Sequence, residues 1–196
     1  LLSDTSNIEQ VVNIYPACKG SIKMADGNDL RFDGAFTEPS FFRVFGFTLA
    51  EGDPATALQQ PNAMVLSASA AKKYFGKKDP LGQSINIQGM GLFVITGVLR
   101  TSPAKSHIDF EGYASATTIP TLERSKALPA HTNDWNDYRM AYTYVLLKED
   151  AGKKRLSGQL QAIIQPINKY DKNGQASFSL QPLNKIRPAD DNLYND

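Results

Sequence analysis

The chain has 196 residues, enough for one domain or two small lobes. Its 21 Lys and Arg nearly cancel its 20 Asp and Glu, which is far from the strongly basic balance of nucleic-acid-binding domains. Cys18 is the one cysteine, so an internal disulfide and a cysteine zinc site are both excluded, and no apolar run approaches the ~20 residues that span a bilayer.

Leu1 and Leu2 read as the tail of a helix, and a start on Leu rather than Met predicts a piece of a longer protein. Val11 to Tyr15 is β-rich and is predicted to be a strand ending at Pro16. Ser21–Ala25 and Leu30–Phe36 flank Asp26-Gly27-Asn28, and Asp-Gly is a strong hairpin signal. Pro39 suits a first helical turn, after which Phe41, Phe42 and Phe45 share a face. Phe47 and Leu49 continue as a brief extended piece. Asp53 can cap a helical turn over Ala55–Leu58, with Pro54 in its first position.

Met64–Leu66 reads as a short buried strand. Ser67 is placed to cap a helix through Phe75, and Gly76 to close it. Asp79-Pro80-Leu81-Gly82 fits a type I turn. Ser84–Gln88 and Leu92–Thr101 form a second expected hairpin over Gly89-Met90-Gly91, with Gly97 marking a bulge or bend. After a loop at 103–107, Ile108–Ser115 is predicted to be a strand and Thr118–Lys126 a helix. Residues 127–138 are polar and irregular, and Ala141–Lys148 reads as a strand. Leu156, Leu160, Ile163, Ile164 and Ile167 make one apolar stripe, the mark of an amphipathic helix. Ala176–Leu183 is predicted to be a last strand before a polar tail. Strands and helices are interspersed and the hairpins are antiparallel, so the fold class expected is α+β rather than a doubly wound sheet.

Little in this pattern carries chemistry. His107 and His131 are the only histidines. Their carboxylate neighbours, Asp109 and Asp134, are pairings that chance supplies, so no metal site is expected. Ser106 and His107 are adjacent, which points their side chains apart rather than together. No Gly-x-Ser-x-Gly elbow, phosphate-binding loop or dinucleotide fingerprint occurs, and Gly89-Met90-Gly91 belongs to a turn. Asp190-Asp191 reads as solvated charge. The run Lys72, Lys73, Lys77 and Lys78 is the densest basic patch and reads as a solvated helix face rather than a site for an anionic partner. Phe41, Phe42, Phe45 and Phe47 read as core rather than a ligand pocket. Trp135, in its polar loop, either closes a lobe or meets a partner. No catalytic, cofactor-binding or metal-ligating residue is expected, and the chain is expected not to be an enzyme.

The order of these pieces carries a resemblance. Ser40-Phe41-Phe42-Arg43-Val44-Phe45-Gly46-Phe47-Thr48-Leu49-Ala50-Glu51-Gly52-Asp53-Pro54 is followed by Ala57-Leu58, Pro61-Asn62 and Val65-Leu66-Ser67. Then come Ala71-Lys72-Lys73-Tyr74-Phe75-Gly76, Asp79-Pro80-Leu81-Gly82, Phe93–Leu99 and Ser106-His107-Ile108. This series resembles the MacB-like periplasmic core domain of FtsX-type ABC-transporter permeases, in the longer version with Ser-His-Ile that is common in Bacteroidetes. It spans roughly Val11 to Leu183. The family's first transmembrane helix and first extracytoplasmic strand have no counterpart at the start.

The resemblance implies two lobes. A discontinuous porter-like lobe would comprise 1–36 and 139–196, and a sabre-like lobe would be inserted at 37–138. It implies a non-catalytic periplasmic domain of an inner-membrane protein, held by flanking membrane helices. Through the parent permease it would respond to a separate ABC ATPase domain or subunit, and would act on a substrate or periplasmic adaptor. The parent is expected to be a homodimer, which leaves the isolated domain free to be a monomer. The alternative is a stand-alone periplasmic ligand-binding module.

Overall fold

The structure, a computed structural model, describes residues 6–24, 26–101, 106–130, 140–148, 151–170 and 177–186. The fold is α+β. Its elements in chain order are β1 (Ile8–Lys23), β2 (Asp29–Thr37), α1 (Ser40–Phe45), β3 (Leu49–Gly52), β4 (Ala63–Leu66), α2 (Ala68–Phe75), β5 (Ser84–Ile87), β6 (Gly91–Leu99) and β7 (Gly112–Ser115). After a 3-10 turn at Ala116–Thr118 come α3 (Ile119–Arg124), β8 (Tyr142–Leu147), α4 (Ala151–Tyr170) and a last 3-10 turn at Leu183–Lys185.

The sheet order is β2-β7-β4-β6-β5-β1-β8, with β3 joined to β6 and β1 also joined to β2. That last pairing closes a ring of six strands. β1 runs antiparallel to β2 from Cys18 opposite Gly34 to Lys23 opposite Asp29. β2 runs parallel to β7, antiparallel β7 meets β4, and β4 runs parallel to β6. β6 returns antiparallel to β5, and β5 meets β1 at Ile22 opposite Ile87. Closure removes the free edges that invite unwanted pairing, so β3 hangs outside the ring.

The ring forms because inward positions on these strands are apolar. Cys18, Ile22, Phe32, Phe36, Met64 and Phe93 are buried in one continuous core. Ala70 and Tyr74 of α2 and Leu122 of α3 pack into the same core. Helix α2 starts where expected: Ser67 accepts the Ala70 N–H at 3.1 Å, and Gly76, at φ 64°, donates its N–H to Lys72 O. The first hairpin turns on Asp26, whose carboxylate accepts the Asn28 N–H, with Gly27 at φ 88°. Among the described residues the three buried Ser and Thr hydroxyls are partnered: Thr37 donates to Asn13 O, Ser115 donates to Leu58 O, and Thr118 accepts from Asn62 N–H.

The chain divides into two compact units. The larger comprises 11–101 and 110–144 and holds the ring. The smaller comprises 1–10, 102–109 and 145–196. In the smaller unit the Lys148 N–H donates to Asn7 O at 3.0 Å, and α4 buries Leu156 and Ile164 from its apolar stripe. Strands on both sides of residue 36/37 share the ring, since β1 and β2 pair with β5 and β7.

Several expected elements differ. β1 does not stop at Pro16 but runs on to Lys23, with its register shifting between Tyr15 and Cys18. A bulge is where a residue without an N–H is tolerated inside a ladder. Only Gly112–Ser115 of the expected 108–115 strand pairs, because Ser106 Oγ accepts the Ile108 N–H at 3.0 Å and holds that segment in a local turn. The segment 177–182 is not a strand, although Phe178 and Leu180 are half-buried between exposed Ser177 and Ser179. The bulge expected at Gly97 falls beside it: Ile95 pairs with Met64 and Gly97 with Val65, which leaves Thr96 as the extra residue.

Candidate functional site

Cys18 is fully buried in the ring, and burial pushes its thiol well above the ordinary range, with the Asp33 carboxylate adding to the shift. A thiol so placed is neither a nucleophile nor a metal ligand. Ser106 accepts the Ile108 N–H, and burial holds the His107 imidazole below its usual pKa. His131, Asp134 and Trp135 lie outside the described residues, as do Asp190 and Asp191. Among the described residues no group of three His, Cys, Asp or Glu could hold a metal ion.

The aromatic run is packed, as its spacing predicts. Phe41 is fully buried, stacks on Phe47 (5.1 Å between centroids, 10° between planes) and lies 4.7 Å from the Tyr113 ring. Phe45 meets Tyr144 edge-on at 4.8 Å. Such contacts hold α1 and the start of β3 against the sheet, each ring pair adding about 0.5–1.5 kcal/mol to what burial gives.

The lysine run splits in two. Lys73 Nζ donates to Glu111 Oε1 at 2.7 Å and to Arg31 O at 2.9 Å. Tyr74 OH donates to Arg31 O, and it also meets Glu111 Oε2 at 3.1 Å. The Asp33 N–H donates to that same Oε2. Glu111 therefore ties α2 to β2 just before β7 begins. Beside it, the closed-off Asp33 Oδ1 has Lys19 Nζ as a charge partner at 3.2 Å, but no hydrogen bond of good geometry. Nothing local in the sequence announces Glu111, because its partners are 37 to 78 residues away.

Lys72, Lys77 and Lys78 form no ion pair among the described residues. They line an open groove of about 560 Å³ together with Glu51, Asp79 and Val98. Two carboxylates among three lysines leave it only weakly positive, and the groove walls offer exposed charge of the kind that is worth little. The described residues of the larger unit form a closed ring around a buried core, with a polar clamp at Glu111.

The family model described as "MacB-like periplasmic core domain" matches residues 2–163. Three solved structures share the fold. A domain of a putative permease from Porphyromonas gingivalis is 21% identical, with a TM-score of 0.64 over 82% of this chain and 65% of that one. The periplasmic region of MacB from Actinobacillus actinomycetemcomitans is 19% identical, with a TM-score of 0.59 over 82% and 70%. The extracellular domain of the noncanonic ABC-type transporter YknZ from Gram-positive bacteria is 17% identical, with a TM-score of 0.59 over 88% and 81%. This chain thus spans a little under two thirds of the length of the Porphyromonas domain. No curated protein is similar enough in sequence to count as a relative. Among the described residues no helix is long and apolar enough to cross a membrane.

Proposed function

The chain belongs to the family of MacB-like periplasmic core domains, and on that footing we propose that it works as a non-catalytic lever of an ABC-transporter permease. In this reading ATP is hydrolysed by a separate cytoplasmic domain or subunit. The membrane helices of the parent carry the motion across the cytoplasmic membrane, and this domain hands it to a substrate or an envelope partner. The parent acts as a homodimer.

The observation that carries the proposal is the closed ring around one continuous core. Protein interiors packed to crystal density have low compressibility and pass displacement on rather than absorbing it. A body meant to move as one piece needs this.

The test is uncoupling in the full-length permease. Phe32→Ala removes a fully buried ring from the core of the lever. The expected result is ATP turnover near wild-type with transport reduced several-fold, while the permease still reaches the membrane. Unchanged transport by a permease whose domain is demonstrably loosened overturns the mechanical reading. Hydrolysis of any substrate by the purified domain, abolished by His107→Ala, replaces it with an enzymatic one.

A further inference from the structure

The six joints of the ring are unequal. β1 and β2 pair continuously over Cys18–Lys23. β2 and β7 pair from Gly34 to Thr37, and β5 and β6 from Ser84 to Ile87. β4 is held along its length on both sides. The joint between β1 and β5 is a single registered pair, Ile22 with Ile87. It is reinforced by the Gln88 N–H donating to Ser21 O at 2.9 Å and by the Ser21 hydroxyl donating to Gln88 Oε1 at 2.6 Å.

Two further observations bear on this joint. The strands meet only because residue 20 has no side chain. A Cβ on Gly20 would stand 2.7 Å from Ile87 Cγ2 and 2.9 Å from Gln88 O. An open polar groove of about 390 Å³, lined by Ser21, Lys23, Asp29, Asn86 and Gln88, also runs beside the joint. Water therefore stands next to its backbone hydrogen bond and competes for it.

We infer that the β1–β5 joint is the latch of the barrel: the ring opens there first, by β1 parting from β5 while the other five joints hold. Local opening follows the weakest set of backbone bonds, and its free energy lies below that of global unfolding. The parting opens the wall over the core cluster that Ile22 and Ile87 share with Cys18, which is 0% exposed when the ring is closed. The inference concerns the motion of this unit alone and stands whatever the permease transports.

Cys18 is the chain's one cysteine and reports the opening directly. The 196-residue chain is labelled with iodoacetamide under conditions where reaction is slow relative to reclosing, without urea and at rising urea. Opening at the latch predicts a labelling rate without urea well above that set by global unfolding, and a weaker urea dependence. Gln88→Ala and Ser21→Ala each remove the side-chain hydrogen bond and are expected to speed labelling about three- to tenfold. Gly20→Ala wedges the strands apart and is expected to do more. Ser67→Ala, at the cap of α2 and away from the latch, is expected to lower the urea midpoint and leave labelling without urea unchanged, because it destabilises closed and open forms alike. If Ser67→Ala speeds labelling in proportion to the stability it removes, or if Gly20→Ala does not speed it, Cys18 is uncovered only by global unfolding and the latch does not exist.

Discussion

Glu111 accepts from the Lys73 ammonium on Oε1 and from the Asp33 N–H on Oε2, and the Tyr74 hydroxyl, which donates to Arg31 O, stands 3.1 Å from Oε2. The ion pair is about one-third exposed on both sides, and pairs of that kind are worth about 0–1 kcal/mol. The bond to the part-buried Asp33 N–H matters more, since a buried polar group stripped of its partner costs about 1–3 kcal/mol. Glu111→Ala is therefore expected to lower stability by about 1–3 kcal/mol, and Lys73→Ala by under about 1 kcal/mol, as read from urea midpoints. Equal losses would show that charge pairing, not backbone satisfaction, is what the clamp supplies.

Tyr144 gives a second prediction at this scale. Burial, with the nearby Tyr142 charge adding, pushes its phenol from 10.0 up to about 12. A raised folded pKa means the unfolded chain loses its proton first, so the stability contributed is whole below pH 10 and is lost as pH rises towards 12. Tyr74 and Cys18 shift the same way, the thiol from a starting value of 9.0. The urea midpoint is expected to decline from about pH 9 and more steeply above pH 10. Tyr144→Phe is expected to flatten the pH 10–12 portion without abolishing the decline. An unchanged slope would mean that Tyr144 ionises freely in the folded protein.

At the scale of elements, the structures that could be read from the sequence are those that local chemistry decides. Helix α2 begins at Ser67 because its hydroxyl takes the Ala70 N–H, and it ends at Gly76 because a residue at φ 64° suits glycine. Replacing such a cap by Ala costs about 1 kcal/mol. Ser67→Ala is expected to lose about that much in urea unfolding, and Ser67→Asp to keep most of it. Full stability in Ser67→Ala would mean that packing of Ala70 and Tyr74 alone fixes where the helix starts. The same local logic made the Asp26-Gly27 turn and the stripe of α4 legible. It failed wherever a distant partner decides. Pro16 looked like an end because the bulge that admits it depends on β2. Residues 177–182 keep the alternation of a strand, but alternation describes burial and not pairing. Glu111 was missed for the same reason, since nothing near it in sequence names its partners.

At the scale of the molecule, ring closure was the least legible feature. It needs β2 beside β7 and β4 beside β6 in parallel, joined by long crossings that no turn residue marks. It also decides which lesions the whole fold feels. Gly112 lies in the ring, where an added Cβ would stand 2.7 Å from Phe32 Cζ and 3.2 Å from Met64 Sδ. Gly52 lies in β3, outside the ring, at φ 92°, where an added Cβ would run into the Thr96 backbone carbonyl. By local geometry alone Gly52→Ala is the harsher change, because backbone cannot give way as a side chain can. β3, however, can leave β6 without breaking the ring, whereas the Phe32 ring and the Met64 side chain have nowhere to go. Overpacking a closed core costs about 1–3 kcal/mol. Gly112→Ala is expected to lower the urea midpoint by that much, and Gly52→Ala is expected to speed hydrogen exchange along Leu49–Gly52 with a smaller shift in midpoint. A larger global loss from Gly52→Ala would show that β3 belongs to the cooperative body and that the ring is not the mechanical unit.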